Sequence, residues 1–259
     1  MKSVFSTEPL RLKIAGDASG VVGTWLHVPS ATSAEFMATV GCDFLVVDVQ
    51  HSVTDFGCAA DMIRTLTLKK VPVLVRTTGL DPMQAGRVLD AGASGVICPM
   101  INNVSEAEAL VRACRYPPKG ARSLGPFRPR LLWGETYRND ATDGVIVIAM
   151  IETPDGLHNM NEIAQVDGLD GLFAGPNDVA LAIGEEPALD PENPKVCAAL
   201  KNIASAATRH GKFAGIACDY PDFATSAAEW GYRFHIIASD VKFMERGASN
   251  MIEAMKRNI

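Results

Sequence analysis

Eight short apolar, largely β-branched runs recur along the chain, and their spacing constrains the fold more than any other feature. They are "VVGTWLH", "FLVVDVQH", "VPVLVRT", "GVICPM", "VIVIAMIET", "GLFAGPND", "FAGIACD" and "FHIIASD". Nearly continuous apolar character of this kind suits parallel strands buried on both faces. Helix signals lie between most of them. Asp81–Pro82 supplies a capping residue and a first-turn proline, and Gly92 closes that helix. Ser105 with Glu108 reads as a capping box, and Lys195 to His210 as a long helix stopped by Gly211. Strand starts recur about every 30 residues, the size of one βα unit. Eight such units account for the 259 residues as one α/β domain, a (β/α)8 TIM barrel spanning 1–259. A doubly wound open sheet is the alternative, but no GxGxxG follows the first run.

In such barrels the chemistry sits at the C-terminal ends of the strands. The polar residues collected there are His27; Asp48, Gln50 and His51; Arg76; Glu152; Asn177 and Asp178; Asp219; and Ser239 and Asp240. A barrel built for stability alone has no need of so many ionisable groups converging on one mouth. The run "VVDVQHS" is the sharpest case, because it ends in three polar groups within four residues.

Glu152 and Asp178 stand on neighbouring strands and make a hard oxygen site with open positions, the usual way of holding Mg²⁺ or Mn²⁺. The plainer reading is that each carboxylate caps a following helix, which "GPND" fits. Arg76 carries a fixed charge suited to a developing oxyanion; its plainer role is a structural salt bridge. His51 is a candidate general base oriented by an acid such as Asp48, or else a histidine that is merely hydrogen-bonded.

Several chemistries are set aside. A Schiff-base aldolase needs a shielded lysine on a strand, and none of the eight runs contains one: Lys69, Lys70 and Lys212 precede strands and Lys242 follows one. A GxSxG elbow and Gly-rich phosphate cradles are absent. The net charge of -6 argues against nucleic acid. The Arg-rich stretch 122–138, interleaved with Pro and Glu, reads as a loop. No apolar run is long enough to span a membrane, and the first twenty residues lack a signal-peptide core. Six cysteines without a CxxC pair read as free thiols, so a cytoplasmic protein is expected.

The segments "VVDVQHS", "VPVLVRTTGLDPMQAGRVLDAGASGVICPM", "MIETPDGL" and "GLFAGPNDVALAIG" resemble the class II, metal-dependent 2-oxo acid aldolases, the 4-hydroxy-2-oxoheptanedioate aldolase (HpcH/HpaI) family. The resemblance runs in order from Val21 to Ser239. It implies a barrel of the phosphoenolpyruvate/pyruvate type whose last helix is swapped between subunits, in a homo-oligomer that is a hexamer built as a trimer of dimers. It further implies Glu152 and Asp178 as ligands of Mg²⁺ or Mn²⁺, with Co²⁺ as a third candidate. His51 matches the acid–base histidine and Arg76 the enolate-stabilising arginine. Gly175, Pro176 and Asn177 match the segment receiving the substrate carboxylate, and Trp25 joins the substrate-binding set. Asp90, in "VLDAG", matches an acid credited with raising the histidine's basicity, in competition with Asp48. Asp48 is the more direct partner by proximity; Asp90 would have to act across a subunit boundary or through an altered local path.

Three positions depart from the family's common pattern. Gln50 stands where glutamate often touches a metal-bound water, Met150 where glutamine often contacts the 2-oxo acid, and Asn177 where alanine is common. The resemblance implies cleavage or formation of 4-hydroxy-2-oxo acids, giving pyruvate or a related 2-oxo acid plus an aldehyde. The alternatives are a malyl-CoA/citrate-lyase-type acyl-CoA lyase, for which Arg122, Arg128 and Arg130 form the one basic cluster, and a non-catalytic 2-oxo acid binding barrel.

Overall fold

The computed structural model describes residues 7–16 and 20–257. Of the first twenty residues, read as lacking a signal core, 1–6 and 17–19 therefore lie outside the described residues; the others are helix α1 (Glu8–Gly16) and its neighbours Thr7 and Gly20. The eight runs form β1 (Val21–Leu26), β2 (Phe44–Asp48), β3 (Val73–Arg76), β4 (Gly95–Cys98), β5 (Ile146–Met150), β6 (Gly171–Ala174), β7 (Phe213–Cys218) and β8 (Tyr232–Ser239). Each pairs in parallel with the next and β8 returns to β1, closing the barrel. Around it run α2 (Ala31–Met37), α3 (Phe56–Leu68), α4 (Pro82–Asp90), α5 (Val104–Cys114), α6 (Phe127–Trp133) and α7 (Tyr137–Gly144). The circuit continues with α8 (Pro154–Ala164), α9 (Pro176–Ala182), α10 (Pro194–Arg209), α11 (Pro221–Glu229) and α12 (Asp240–Arg257).

Side chains alternate between two cores because a strand repeats every second residue. In β2, Leu45 and Val47 pack outward with Met62, Ile63 and Leu66 of α3, while Phe44 and Val46 point into the barrel. The inner core is rich in rings. Phe44 stacks on Phe234 at 4.0 Å, Phe213 lies 5.4 Å from Phe234, and Phe173 meets Trp25 edge-on at 5.9 Å. Leu10 and Ile14 of α1 join this core. Space for the rings comes from glycine on the adjacent strand: Gly23 is in register with Phe44, and Phe173 with Gly215.

Helix ends follow local chemistry. Asp81 accepts from the amides of Met83 and Gln84, with Pro82 at the first turn. The long helix α10 ends just before Gly211 (φ 68°). Two expectations are corrected. The cap of α5 is Asn103, whose side chain accepts from Glu106 N at 3.0 Å while Glu106 reaches back to Asn102 and Asn103, so the box lies two residues earlier than Ser105/Glu108. The stretch 122–138 is not a plain loop: it contains α6 and the start of α7, separated by Gly134. Buried Tyr137 and the side chain of Arg122, which lies over the Tyr116 ring, anchor it.

A Cβ added at Gly23 would lie 2.4 Å from the Phe44 ring, whereas one at Gly86 in α4 would meet nothing within 4 Å. Gly23→Ala is therefore expected to destabilise by about 1–3 kcal/mol through overpacking. Gly86→Ala is expected to stabilise by roughly 0.5–1 kcal/mol, as for an exposed helix interior. Urea unfolding of the two variants checks the opposite signs.

Candidate active site

The same alternation aims the polar strand ends. Asp48 follows Phe44 and Val46 inward, and Arg76 follows Leu74. The two are register partners across β2 and β3. Trp25↔Val46 and Leu26↔Val47 place His27 of the β1 end beside Asp48 on the other flank. The result is a row of three charged or polar groups across three strand ends.

Asp48 is fully buried and holds the row together. Arg76 donates through Nε to Oδ1 at 2.8 Å and through Nη2 to Oδ2 at 2.6 Å. The Gln50 amide donates to Oδ1 at 3.0 Å. His27 Nε2 approaches Oδ2 to 3.0 Å, in ion-pair range though off the line of a well-aligned hydrogen bond. Burial alone would raise the Asp48 pKa. The contacts from His27 and Arg76 and the Gln50 amide outweigh it and hold the carboxyl well below the usual range. The Arg76 guanidinium also lies 4.2 Å from the centre of the Trp25 ring, so stacking fixes its plane as the carboxylate fixes its edge.

The second centre lies across the mouth. Glu152, two residues beyond β5, is buried and accepts from Met100 N at 2.9 Å. Met100 has φ 59°, a left-handed turn immediately after β4. Asp178 sits in the first turn of α9, whose N-cap is Gly175 with no side-chain cap bond, so the helix-capping reading of "GPND" does not describe it. A Cβ on Gly175 would lie 2.8 Å from Glu152 Oε2 and 3.7 Å from Asp178 Oδ2. A side chain at this position would crowd the Glu152 carboxylate. Burial, then the Asp178 charge, pushes the Glu152 pKa up to about 7, against the Met100 bond and Arg76. An acid pair with so little compensation is the donor set a divalent cation fits. Among the described residues no group of three or more His, Cys, Asp or Glu side chains forms a fuller cage, so other ligands would be water or substrate.

A cavity of about 430 Å³ opens at this mouth, lined by Trp25, His27, His51, Arg76, Met150, Gly175, Asn177 and Asp178 among others. Phe173, Leu189, Ala217 and Val241 supply apolar wall, and Asp219, Ser239 and Lys242 complete the rim. Pro176 is buried behind it. His51 is exposed, three residues past Asp48 and beyond the strand. The structure places Asp48 on Arg76 and His27, not on His51, which corrects the expected pairing: β2 ends at Asp48 and the chain bends over 49–52, which carries His51 to the exposed rim. Asp90 lies elsewhere, on a separate cavity of about 510 Å³ along α4 and α5, where it accepts from Arg122 at 2.6 Å. Sequence reasoning left His27 without a role; strand parity from Val21 and Trp25 is the signal that points it inward.

The model of the HpcH/HpaI aldolase/citrate lyase family matches residues 22–246. The hydroxypyruvate/pyruvate aldolase of Rhizorhabdus wittichii is 40% identical over 228 residues, 88% of this chain and 91% of that protein. The 4-hydroxy-2-oxo-heptane-1,7-dioate aldolase of Klebsiella pneumoniae is 32% identical over 240 residues, 92% of this chain and 90% of that one. Among solved structures, an HpcH/HpaI aldolase/citrate lyase family protein from Burkholderia cenocepacia superposes with a TM-score of 0.89 at 28% identity, covering 96% of this chain and 100% of that one.

Asp48→Asn keeps the shape but removes the charge that Arg76 and His27 face. Breaking a buried pair from one side costs about 3–5 kcal/mol, and that loss is expected at neutral pH. Because the folded pKa is depressed, the contribution is present above the unfolded value of about 3.9 and fades as pH falls through the folded one. Denaturant unfolding of both proteins should thus show their difference shrinking only in strong acid.

Proposed function

Because this chain belongs to the HpcH/HpaI aldolase/citrate lyase family and is an aldolase-type carbon–carbon lyase, we propose that its mouth cleaves, and in reverse forms, 4-hydroxy-2-oxo acids with a divalent cation on Glu152 and Asp178. The observation that carries this reading is the meeting, at one cavity, of a carboxylate-locked arginine with Asp178 and with Gly175, beside which Glu152 packs. The products are pyruvate or a related 2-oxo acid and an aldehyde, the chemistry for which the Rhizorhabdus and Klebsiella relatives are named. The cation is Mg²⁺ or Mn²⁺, with Co²⁺ third; when bound it supplies Lewis-acid polarisation of the 2-oxo group.

The remaining work belongs to the chain's own residues. Arg76 is immobilised before substrate arrives, so it meets the oxygen that gains charge as C3–C4 breaks without reorganising. The turn Gly175–Pro176–Asn177 receives the substrate carboxylate. Trp25 and Met150 close the apolar side of the cavity. His51, free at the rim, takes the 4-hydroxyl proton. Its orienting acid comes from outside its own barrel, since Asp48 is fully buried on Arg76 and His27; Asp90, partly exposed beside Arg122 on the outer wall of a neighbouring copy, fills that role. Gln50 Oε1 is buried without a hydrogen-bond partner, an acceptor suited to water at the cation and neutral where an acid would add charge.

The acyl-CoA alternative wants a free basic surface. Arg122 is engaged with Asp90, Arg128 with Ala91 O and Thr67, and Arg130 with Glu135, so the three arginines are structural. Among the described residues no helix is long and apolar enough to cross a membrane. The six cysteines are unpaired thiols, which supports a reducing, cytoplasmic setting.

Release of 2-oxo acid from a panel of 4-hydroxy-2-oxo acids tests the reading. Chelation is expected to abolish release, added Mg²⁺ or Mn²⁺ to restore it, and Glu152→Gln to abolish it in either case. Borohydride with substrate should leave the protein mass unchanged: no strand carries a lysine, and the bond to Glu245 pushes the Lys242 pKa up, the wrong direction for a Schiff-base amine. Turnover that survives chelation would sink the proposal.

We also propose a homo-oligomer, a hexamer of swapped dimers. Helix α12 buries only Asp240 in its own subunit while Met244, Met251, Ile252 and Met255 stand more than half exposed. An apolar face of that size on a chain with a closed barrel calls for a second copy to cover it. Met251→Lys with Met255→Lys is expected to lower the solution mass in light scattering.

A further inference from the structure

His27 is the one inward-facing group of the row across β1, β2 and β3 to which the cleavage chemistry gives no task. We infer that His27 sets the donor specificity of the site: it presents a hydrogen-bond acceptor to the cavity and selects 2-oxo acids that bear a hydroxyl on C3. This inference rests on the aldolase reading and deepens it.

The ring is fixed from two directions. Its backbone N–H donates to Asp240 Oδ1 at 2.8 Å and the next one, Val28, to Asp240 Oδ2 at 3.2 Å, which ties the end of β1 to the start of α12. Its Nε2 is buried and lies 3.0 Å from Asp48 Oδ2. An ionised carboxylate offers only lone pairs, and a lone pair on Nε2 at that distance would repel it, so Nε2 is the nitrogen that carries a proton. In that tautomer the other nitrogen, Nδ1, is an acceptor. The side chain is 29% exposed although Nε2 is wholly covered, and His27 lines the 430 Å³ cavity, so the accessible part of the ring is the part that meets substrate.

Arg76 and His27 share one carboxylate, which places the imidazole next to the guanidinium. Arg76 takes the oxygen on C2 of the donor, so the substituents nearest His27 are those of C3. The wall around them includes apolar Trp25, Phe173, Leu189, Ala217 and Val241, with Asp219, Ser239 and Lys242 at the rim. A methyl group there, as in pyruvate, leaves the acceptor without a partner. A hydroxyl satisfies it. Sites built to bond a substrate hydroxyl discriminate far more strongly than apolar pockets sized to a methyl group, because the buried polar partner is otherwise left unmet. His51, exposed at the rim, is a separate imidazole and keeps the proton-transfer task.

The test is the ratio of kcat/KM for hydroxypyruvate to that for pyruvate, measured with the Mg²⁺- or Mn²⁺-loaded enzyme adding each donor to one aldehyde, glycolaldehyde. His27→Ala is expected to lower that ratio by about 10–100-fold. His27→Gln, which retains an acceptor, should recover part of the preference, and it carries the comparison if the alanine variant fails to fold. A purely structural role would depress both donors together, and an unchanged ratio in both folded variants overturns the inference while leaving the aldolase reading intact. A wild-type protein that adds neither donor overturns the aldolase reading itself and the inference with it.

Discussion

One buried carboxylate organises the mouth of this barrel. Asp48 has no exposed surface, yet it is ionised, because a bidentate guanidinium, an imidazole and a backbone amide converge on its two oxygens. An unpaired carboxylate at that depth would be neutral or would unfold its surroundings. The same contacts read from the other side explain Arg76. A long, flexible side chain has lost its rotamer freedom to Asp48 and to the Trp25 ring before any substrate binds. Preorganisation of this kind is what makes a fixed charge useful for a transition state rather than for ground-state binding.

The barrel supplies the means by two-residue periodicity and parallel register. Phe44 and Val46 set the inward parity that Asp48 inherits; Leu74 sets it for Arg76, and Ile146, Ile148 and Met150 set it for Glu152. Below the mouth, phenylalanines packed opposite glycines fill the interior, so the polar groups rest on a dry, dense floor. A low-dielectric floor strengthens every charge interaction above it. The stability of the lower barrel and the chemistry of its mouth are therefore joined by the same strands.

The eight strands were legible because parallel strands buried on both faces leave apolar runs that need no partner to be recognised. So was the helix start at Asp81–Pro82, where capping chemistry is local. Helices α6 and α7 were not: their hold comes from Tyr137 and Arg122 packing at a distance, and the local sequence shows chiefly arginine and proline. The acid pair and Arg76 could be placed at the mouth from strand ends alone. The partner of Asp48 could not, because proximity along the chain favoured His51, whereas register across β1 and β2 brings His27. That contact depends on which strands are neighbours, and only the closed barrel supplies it.

The two centres of the mouth are electrostatic opposites, and their separation gives the site its logic. On one side Arg76 is already neutralised by Asp48, so its remaining surface offers directed hydrogen bonds more than net charge. On the other, Glu152 and Asp178 face each other around Gly175 with their charge largely uncompensated, and the Glu152 pKa rises to about 7. A proton relieves that repulsion, and a divalent cation relieves it better, so the two compete for the same oxygens. Both hydrogen bonds from the Arg76 side chain go to Asp48, not to the acid pair. The buried carboxylate thus does more than position an arginine: by occupying it, Asp48 keeps the two centres apart, as the proposed cation site and the proposed substrate contact both require.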